Sequence, residues 1–446
     1  MKNNFIMFGH DFNELDMIMP FIDYVLTTNK DNVILYTGLK NISGADYHQE
    51  YLRTRHHLEQ KYFLEEQCFS KYRIVINVLG KIEQLQNKRR KQIRKKRIAY
   101  IGYLFSLIIL IIKRFSEYIL RKPVKRFVDK LNISDKIMVY YSGETRFPTS
   151  AIVEFAKKRN IHTVGFFQAF YLYSNLQYTS KSIDKRPIRA RIANYIRQGK
   201  RPYCTYYLVG KSMKNTFLSS SGNIGFNKLD RVFETVTPRY TRGWTNKFRD
   251  YLMKKEQFNY GDEKKTNVVF FLSKVKQNVN YKEFANILHL LSRLDNINFV
   301  YKPHTRGSFE FDKDTVRASC GFDKVVINGY DGSHINSMLL TDWADVGIVY
   351  GSSIAIQLLI DNVPIIVPSF VHTNSTILEK HKICITASSL DELINILTNN
   401  NKDDLRKLID NTRVEKFLNE YLDANKGYKQ IMREYYDAVV DNRLIE

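Results

Sequence analysis

The sequence predicts an α/β protein with room for two domains, and three observations carry that reading. Its 446 residues can supply two separate cores. Short apolar runs bounded by polar residues recur along it, the pattern of strands buried on both faces of a parallel sheet. Segments of helical spacing separate those runs, so the chain reads as repeated β-α-β units. With 44% hydrophobic and 26% charged residues, the composition is that of a globular protein and not a disordered one.

Asn4 to Phe8 reads as the first strand, Gly9-His10-Asp11 as its loop, Glu14 to Thr27 as a helix and Val33 to Tyr36 as the second strand. No Gly-x-Gly-x-x-Gly turn follows that first strand and no Walker P-loop occurs anywhere, which disfavours dehydrogenases and NTPases. Residues Gly44 to Gln86 look helical, with Arg73 to Val78 as a candidate strand. Lys88 to Arg97 then holds eight cations in ten residues, and the apolar run Ile98 to Ile112 follows. Fifteen residues fall short of the roughly 20 that span a bilayer. Residues 88–126 therefore read as an interfacial helix on an anionic leaflet, with a buried helix behind a basic prelude as the alternative.

Lys136 to Tyr141 is the next strand, ending in a loop that carries Glu144 and Arg146. Helix Thr149 to Arg159 and strand Ile161 to Phe167 follow, then a loop with Gln168. Tyr206 to Val209 reads as another strand, and the charged stretch 247–265 as a linker between a first domain of 1–246 and a second of 266–415. The second opens with strand Asn267 to Leu272, followed by Lys274, and helix Tyr281 to Arg293. Strand Asn298 to Tyr301 leads into Lys302, His304 and Arg306, a crowd of cations and donors. Strand Val346 to Tyr350 leads into Gly351, Ser352 and Ser353, which offer backbone N–H groups and hydroxyls at a helix start. A phosphate held between these two loops is the simplest reading, against the plainer one of an ordinary loop and helix start. Ile383 to Ile385 is a further strand, Leu390 to Leu397 a helix, and 416–446 reads as helices.

The Lys302-Pro303-His304-Thr305-Arg306-Gly307 cluster, followed by Tyr350-Gly351-Ser352-Ser353 and Val363-Pro364, resembles the carboxy-terminal half of bacterial GT-B glycosyltransferases of surface polysaccharide synthesis. Capsule-synthesis β-Kdo transferases, bacterial sialyltransferases and CDP-glycerol phosphotransferases carry similar pairs. Gly143-Glu144-Thr145-Arg146, Ala156 to Ile161 and Gln168-Ala169-Phe170 resemble the amino-terminal half of the capsule family. The resemblance implies two Rossmann-like domains facing a cleft, with the basic-apolar helix inserted in the first and the last helices returning to it. It implies sugar transfer from a nucleotide-activated donor, CMP-linked by preference, with inversion. The acceptor would be a capsule, lipopolysaccharide or lipid-linked glycan. His304, Lys302, Arg306, Tyr350, Gly351, Ser352, Ser353, Gln357 and Lys274 would serve the donor. Gln357 stands where an acidic ribose ligand is common, and Asp361-Asn362 replaces Gly-Lys.

Inverting transfer needs a base, and Glu144 at a strand's carboxyl end is the first candidate, with Arg146 beside it for the donor's phosphate or carboxylate. Glu144 could equally complement the dipole of the helix it precedes. Asp331, Asp11 and Glu14 are weaker alternatives. Asp312-Lys313-Asp314 resembles a metal-binding pair but sits in a polar loop, and cationic loops can themselves neutralise a leaving phosphate, so neither metal nor cofactor is expected. Cys68, Cys204, Cys320 and Cys384 are scattered, without zinc or disulfide spacing, and the first residues do not read as a secretory signal. A location on the inner face of the cell membrane is expected, and the formal charge of +23 suits anionic partners. Nucleic acid is disfavoured because no aromatics interleave the basic run. Two rivals stand: a polyol-phosphate transferase of the CDP-glycerol or CDP-ribitol type, and a non-catalytic membrane or nucleic-acid binding protein on the same fold.

Overall fold

The structure, a computed structural model, describes residues 2–9, 12–37, 46–92, 99–140, 147–166, 170, 172, 204–212, 232–272, 280–303, 329–372 and 374–440. Strand β1 (Asn4–Phe8) leads into helix α1 (Phe12–Tyr24), then β2 (Asn32–Thr37), α2 (Asp46–His56) and the short β3 (Gln60–Tyr62). Two long helices follow, α3 (Arg73–Gln92) and α4 (Ala99–Asp129). The chain then returns to the sheet with β4 (Lys136–Tyr140), α5 (Thr149–Lys158), β5 (His162–Phe166), β6 (Tyr206–Gly210) and β7 (Val232–Thr235). All pairings are parallel, in the order β3-β2-β1-β4-β5-β6-β7. Strand side chains alternate between faces: Phe5 and Met7 enter one core, Ile6 and Phe8 the other.

Residues 73–78 belong to α3 and not to the strand expected there. Val75 and Ile76 pack on the core while Leu79 and Ile82 are buried, so the apolar spacing continues at helical intervals past the point where a strand would end. The expected linker begins as part of helix α6 (Arg242–Met253), because Trp244, Phe248 and Leu252 form a buried stripe at four-residue intervals.

The second sheet comprises β8 (Thr266–Phe271), β9 (Ile297–Lys302), β10 (Tyr330–Asp331), β11 (Val346–Val349), β12 (Ile365–Pro368) and β13 (Ile385–Ala387). Its connections carry α7 (Tyr281–Leu291), α8 (Ser337–Trp343), α9 (Ile354–Ile360) and α10 (Ile377–His381). The order is β10-β9-β8-β11-β12-β13, again with parallel pairs only. Gly261 adopts a φ of 97° against Asn298, whose side chain accepts from Asp262 N at 2.9 Å and donates to Asp262 O at 2.7 Å. That clasp fixes where the chain enters the second sheet, and any Cβ at position 261 would strike it.

Helices α11 (Leu390–Asn399), α12 (Lys402–Lys407), α13 (Asn411–Leu422) and α14 (Tyr428–Val440) follow. The last packs on the first domain: Tyr435 lies 5.3 Å from Phe21, Tyr436 lies 5.9 Å from Phe5, and Tyr206 Oη donates to Val439 O at 2.6 Å. Two Rossmann-like α/β domains, the GT-B architecture, are thus joined by α6 and by the returning chain.

Candidate functional site

In each sheet the strand order reverses once, between β1 and β4 in the first and between β8 and β11 in the second. Connections leaving the two strands at such a point run to opposite faces, which opens a crevice at the carboxyl ends. The segments beyond the carboxyl ends of β5 and β12 meet across the domains. Ile377 N donates to Leu172 O at 2.6 Å, and Phe170 also lies 5.8 Å from Phe417 of α13. The expected donor turn follows β11 and therefore lies at the reversal point of the second sheet.

That turn is built around Gly351, whose φ of 62° lies in the left-handed region that a residue with a Cβ enters at a cost. Tyr350 before it is fully buried, stacks on the His372 ring at 4.6 Å and donates from its hydroxyl to Asn374 O at 2.7 Å. It anchors the turn from beneath. Ser353 occupies the position before α9 without capping that helix through its side chain, and Ser352 and Ser353 are both half-buried.

Two expected donor ligands are engaged with the protein itself. Lys302 is buried at the end of β9, and its ammonium donates to Gly332 O at 2.8 Å, Ser333 O at 2.9 Å and Ile335 O. An ammonium has three N–H donors, so these carbonyls saturate it. Burial pushes its pKa down to about 8, with Asp331 and Glu256 acting weakly in the opposite direction. Lys302 thus clamps the segment after β10. Gln357 is likewise fully buried, and its amide nitrogen donates to both carboxylate oxygens of Asp361 at 3.1 Å. Its amide oxygen has no partner among the described residues.

Asp331 is exposed, and its carboxylate accepts from Ser333 N at 2.9 Å to cap the following 3-10 turn. Glu14 is wholly buried in the first turn of α1. His304, Arg306, Lys274, Glu144, Arg146, Asp11, Gln168, Asp312 and Asp314 lie outside the described residues. Among the described residues no group of three or more His, Cys, Asp or Glu side chains is placed to hold a metal ion.

Sequence reasoning singled out Glu14 in α1 but missed the helix's other two buried acids, Asp16 and Asp23. Asp16 pairs with His48 Nε2 at 3.0 Å and with Arg239. Burial raises its carboxyl, but Arg239 and His48 outweigh that and hold it below the ordinary value. Two turns further along the same face, Asp23 accepts from Lys247 at 2.6 Å, from Tyr51 at 2.7 Å and pairs with His56 at 2.9 Å. The signal was present as two acids seven residues apart that bracket the apolar run Met17 to Ile22. On α6, Lys247 faces the first domain, while Arg249, two residues on, pairs with Asp361 at 2.5 Å and Asp342 at 3.2 Å in the second. A two-residue step turns a helix by about 200°, so the helix presents opposite sides to the two domains.

No known family model matches the chain, and no curated protein does. Solved structures match its fold. A UDP-GlcNAc 2-epimerase from Neisseria meningitidis, bound to UDP-GlcNAc, superposes with a TM-score of 0.52 at 12% identity, covering 99% of this chain and 100% of that one. The N-terminal domain of trehalose-6-phosphate phosphatase from Candida albicans gives 0.51 at 9% identity, covering 99% and 97%. At such identities the likeness establishes the two-domain GT-B fold alone.

Proposed function

We propose that this protein is a metal-independent, inverting glycosyltransferase. It takes sugar from a nucleotide-activated donor, CMP-linked by preference, and passes it to a capsule, lipopolysaccharide or other surface glycan acceptor at the inner face of the cell membrane. The observation that carries this reading is the Gly351–Ser353 turn, held by buried Tyr350 at the strand-order reversal of the second sheet. In this reaction Glu144 takes the proton of the acceptor hydroxyl as its oxygen attacks the anomeric carbon. The bond to the donor phosphate breaks with its electron pair on the phosphate oxygen, where His304, Arg306 and the Ser352 and Ser353 hydroxyls stabilise the charge. Lys302 acts through its clamp on residues 332–335, which sets the position of the neighbouring Asp331.

The test is a thermal-shift screen against CMP, CDP, UDP, GDP and dTDP, because a ligand held only by the folded state raises the melting temperature. A shift with one nucleotide that disappears in Ser352→Ala/Ser353→Ala identifies the leaving group. Product analysis then separates a glycosidic bond from a phosphodiester. No shift in folded protein, or conversion of UDP-GlcNAc to its 2-epimer without transfer, would overturn the reading.

A further inference from the structure

Helix α4 carries an apolar face that nothing described covers. Ile108, Ile111, Ile112, Phe115 and Tyr118 are between 41% and 73% exposed. On a helix of 3.6 residues per turn they fall within an arc of about 120°, a stripe running about 15 Å along the axis. The opposite side of the same helix, through Ser116, Leu120, Val124 and Val128, is buried on the first domain. Beside it α3, which packs against α4, exposes Ile74 at 81% and Leu85 at 47%. Monomeric proteins seldom leave such a stripe uncovered without a use for it.

Charge says what covers it. The stripe's axis continues through exposed Lys122 and Arg126, and the sequence before the helix holds eight cations in the ten residues 88–97. An apolar stripe that runs on into exposed cations matches an anionic bilayer surface, where acyl chains meet phosphates. A second copy of the chain would oppose the same charges to one another. Among the described residues no helix is long and apolar enough to cross a membrane.

We propose that α4, with α3 beside it, docks on an anionic phospholipid bilayer, lying along its surface with the stripe in the acyl boundary and Lys122 and Arg126 on the phosphates. The proposal rests on the membrane location proposed above and on none of the transfer chemistry.

The experiment is flotation of the full chain with phosphatidylcholine vesicles with and without one-third phosphatidylglycerol, at several salt concentrations. Expected is binding to the anionic vesicles only, weakening as salt rises. Ile111→Asp/Phe115→Asp lowers it roughly tenfold or more, and Lys122→Glu/Arg126→Glu weakens it too. Both pairs are surface changes, so the melting temperature and any nucleotide-induced shift stay as in the wild type, which separates loss of docking from loss of the donor site. Absence of flotation, binding unaffected by either double variant, or a dimer that Ile111→Asp/Phe115→Asp dissolves would each overturn the proposal, as would capture by an acidic protein in preference to anionic lipid.

Discussion

Gln357 Nε2 donates to both carboxylate oxygens of Asp361 at 3.1 Å, and Asp361 in turn holds Arg249 of α6 at 2.5 Å. Gln357 and Asp361, where the second domain departs from the surface-polysaccharide pattern, are therefore partners in one buried network, while the first domain departs from it at Gln168-Ala169. A glutamate at 357 would set two carboxylates against each other where water cannot reach.

Gln357→Glu is accordingly expected to cost about 2–4 kcal/mol at neutral pH, the range for breaking a buried hydrogen-bonded unit. The new carboxyl would titrate above its unfolded value of about 4.3, so the deficit shrinks as pH falls towards that value and grows above it. Urea unfolding at pH 5 and pH 7.5 checks this. A deficit that does not change with pH would show that residue 357 relaxes away from Asp361.

Gly351→Ala forces a Cβ into a backbone conformation with φ at 62°. The expected cost is about 1–2 kcal/mol, or else a displaced turn. Either outcome weakens nucleotide binding, and calorimetric titration of the variant with the nucleotide found in the screen measures it.

Lys302→Met leaves three inward carbonyls without their donor. The expected loss is about 2–4 kcal/mol. Amide exchange speeds up at residues 332–335 first, since that segment is what the ammonium holds. Uniform acceleration across the second domain would argue that the clamp is global.

Asp23→Asn removes the acceptor shared by Lys247, His56 and Tyr51. Burial raises the Asp23 carboxyl, but those partners prevail and depress it below its ordinary value. A depressed carboxyl gives stability that is present above pH 4 and lost as pH falls through the folded value. The variant should be less stable by about 2 kcal/mol at pH 7 and close to the wild type near pH 2. Equal differences at both pH values would remove the charge from the account.

Glu144→Ala is expected to lower turnover about 10²- to 10⁴-fold with the melting temperature unchanged, the usual range for loss of a general base. A rate near that of the wild type would move the base to Asp331 or Asp11.

The parallel strands were legible because burial on both faces leaves them as apolar runs, so β4, β8 and β11 fall within a residue of where the sequence puts them. Arg73 to Val78 misled because its β-branched residues look the same in a short window whether helix or strand. In the site, the glycine turn after β11 was readable from its spacing. The engagement of Lys302 and Gln357 was not, since their partners are backbone carbonyls 30 or more residues away in one case and a neighbour's carboxylate in the other. The Asp16–His48–Arg239 cluster joins residues as much as 223 positions apart, a pairing that no local pattern announces.

Helix α14 is the last element described, yet its Tyr435 and Tyr436 close over Phe21 and Phe5 of the first elements. During synthesis the first sheet must wait for it. Nearly the whole second domain is translated in between, roughly 10–40 s at ordinary elongation rates. Throughout that time the part of Phe5 and Phe21 that the two tyrosines cover is exposed on the nascent chain, which makes it the surface through which stalled or truncated chains would associate.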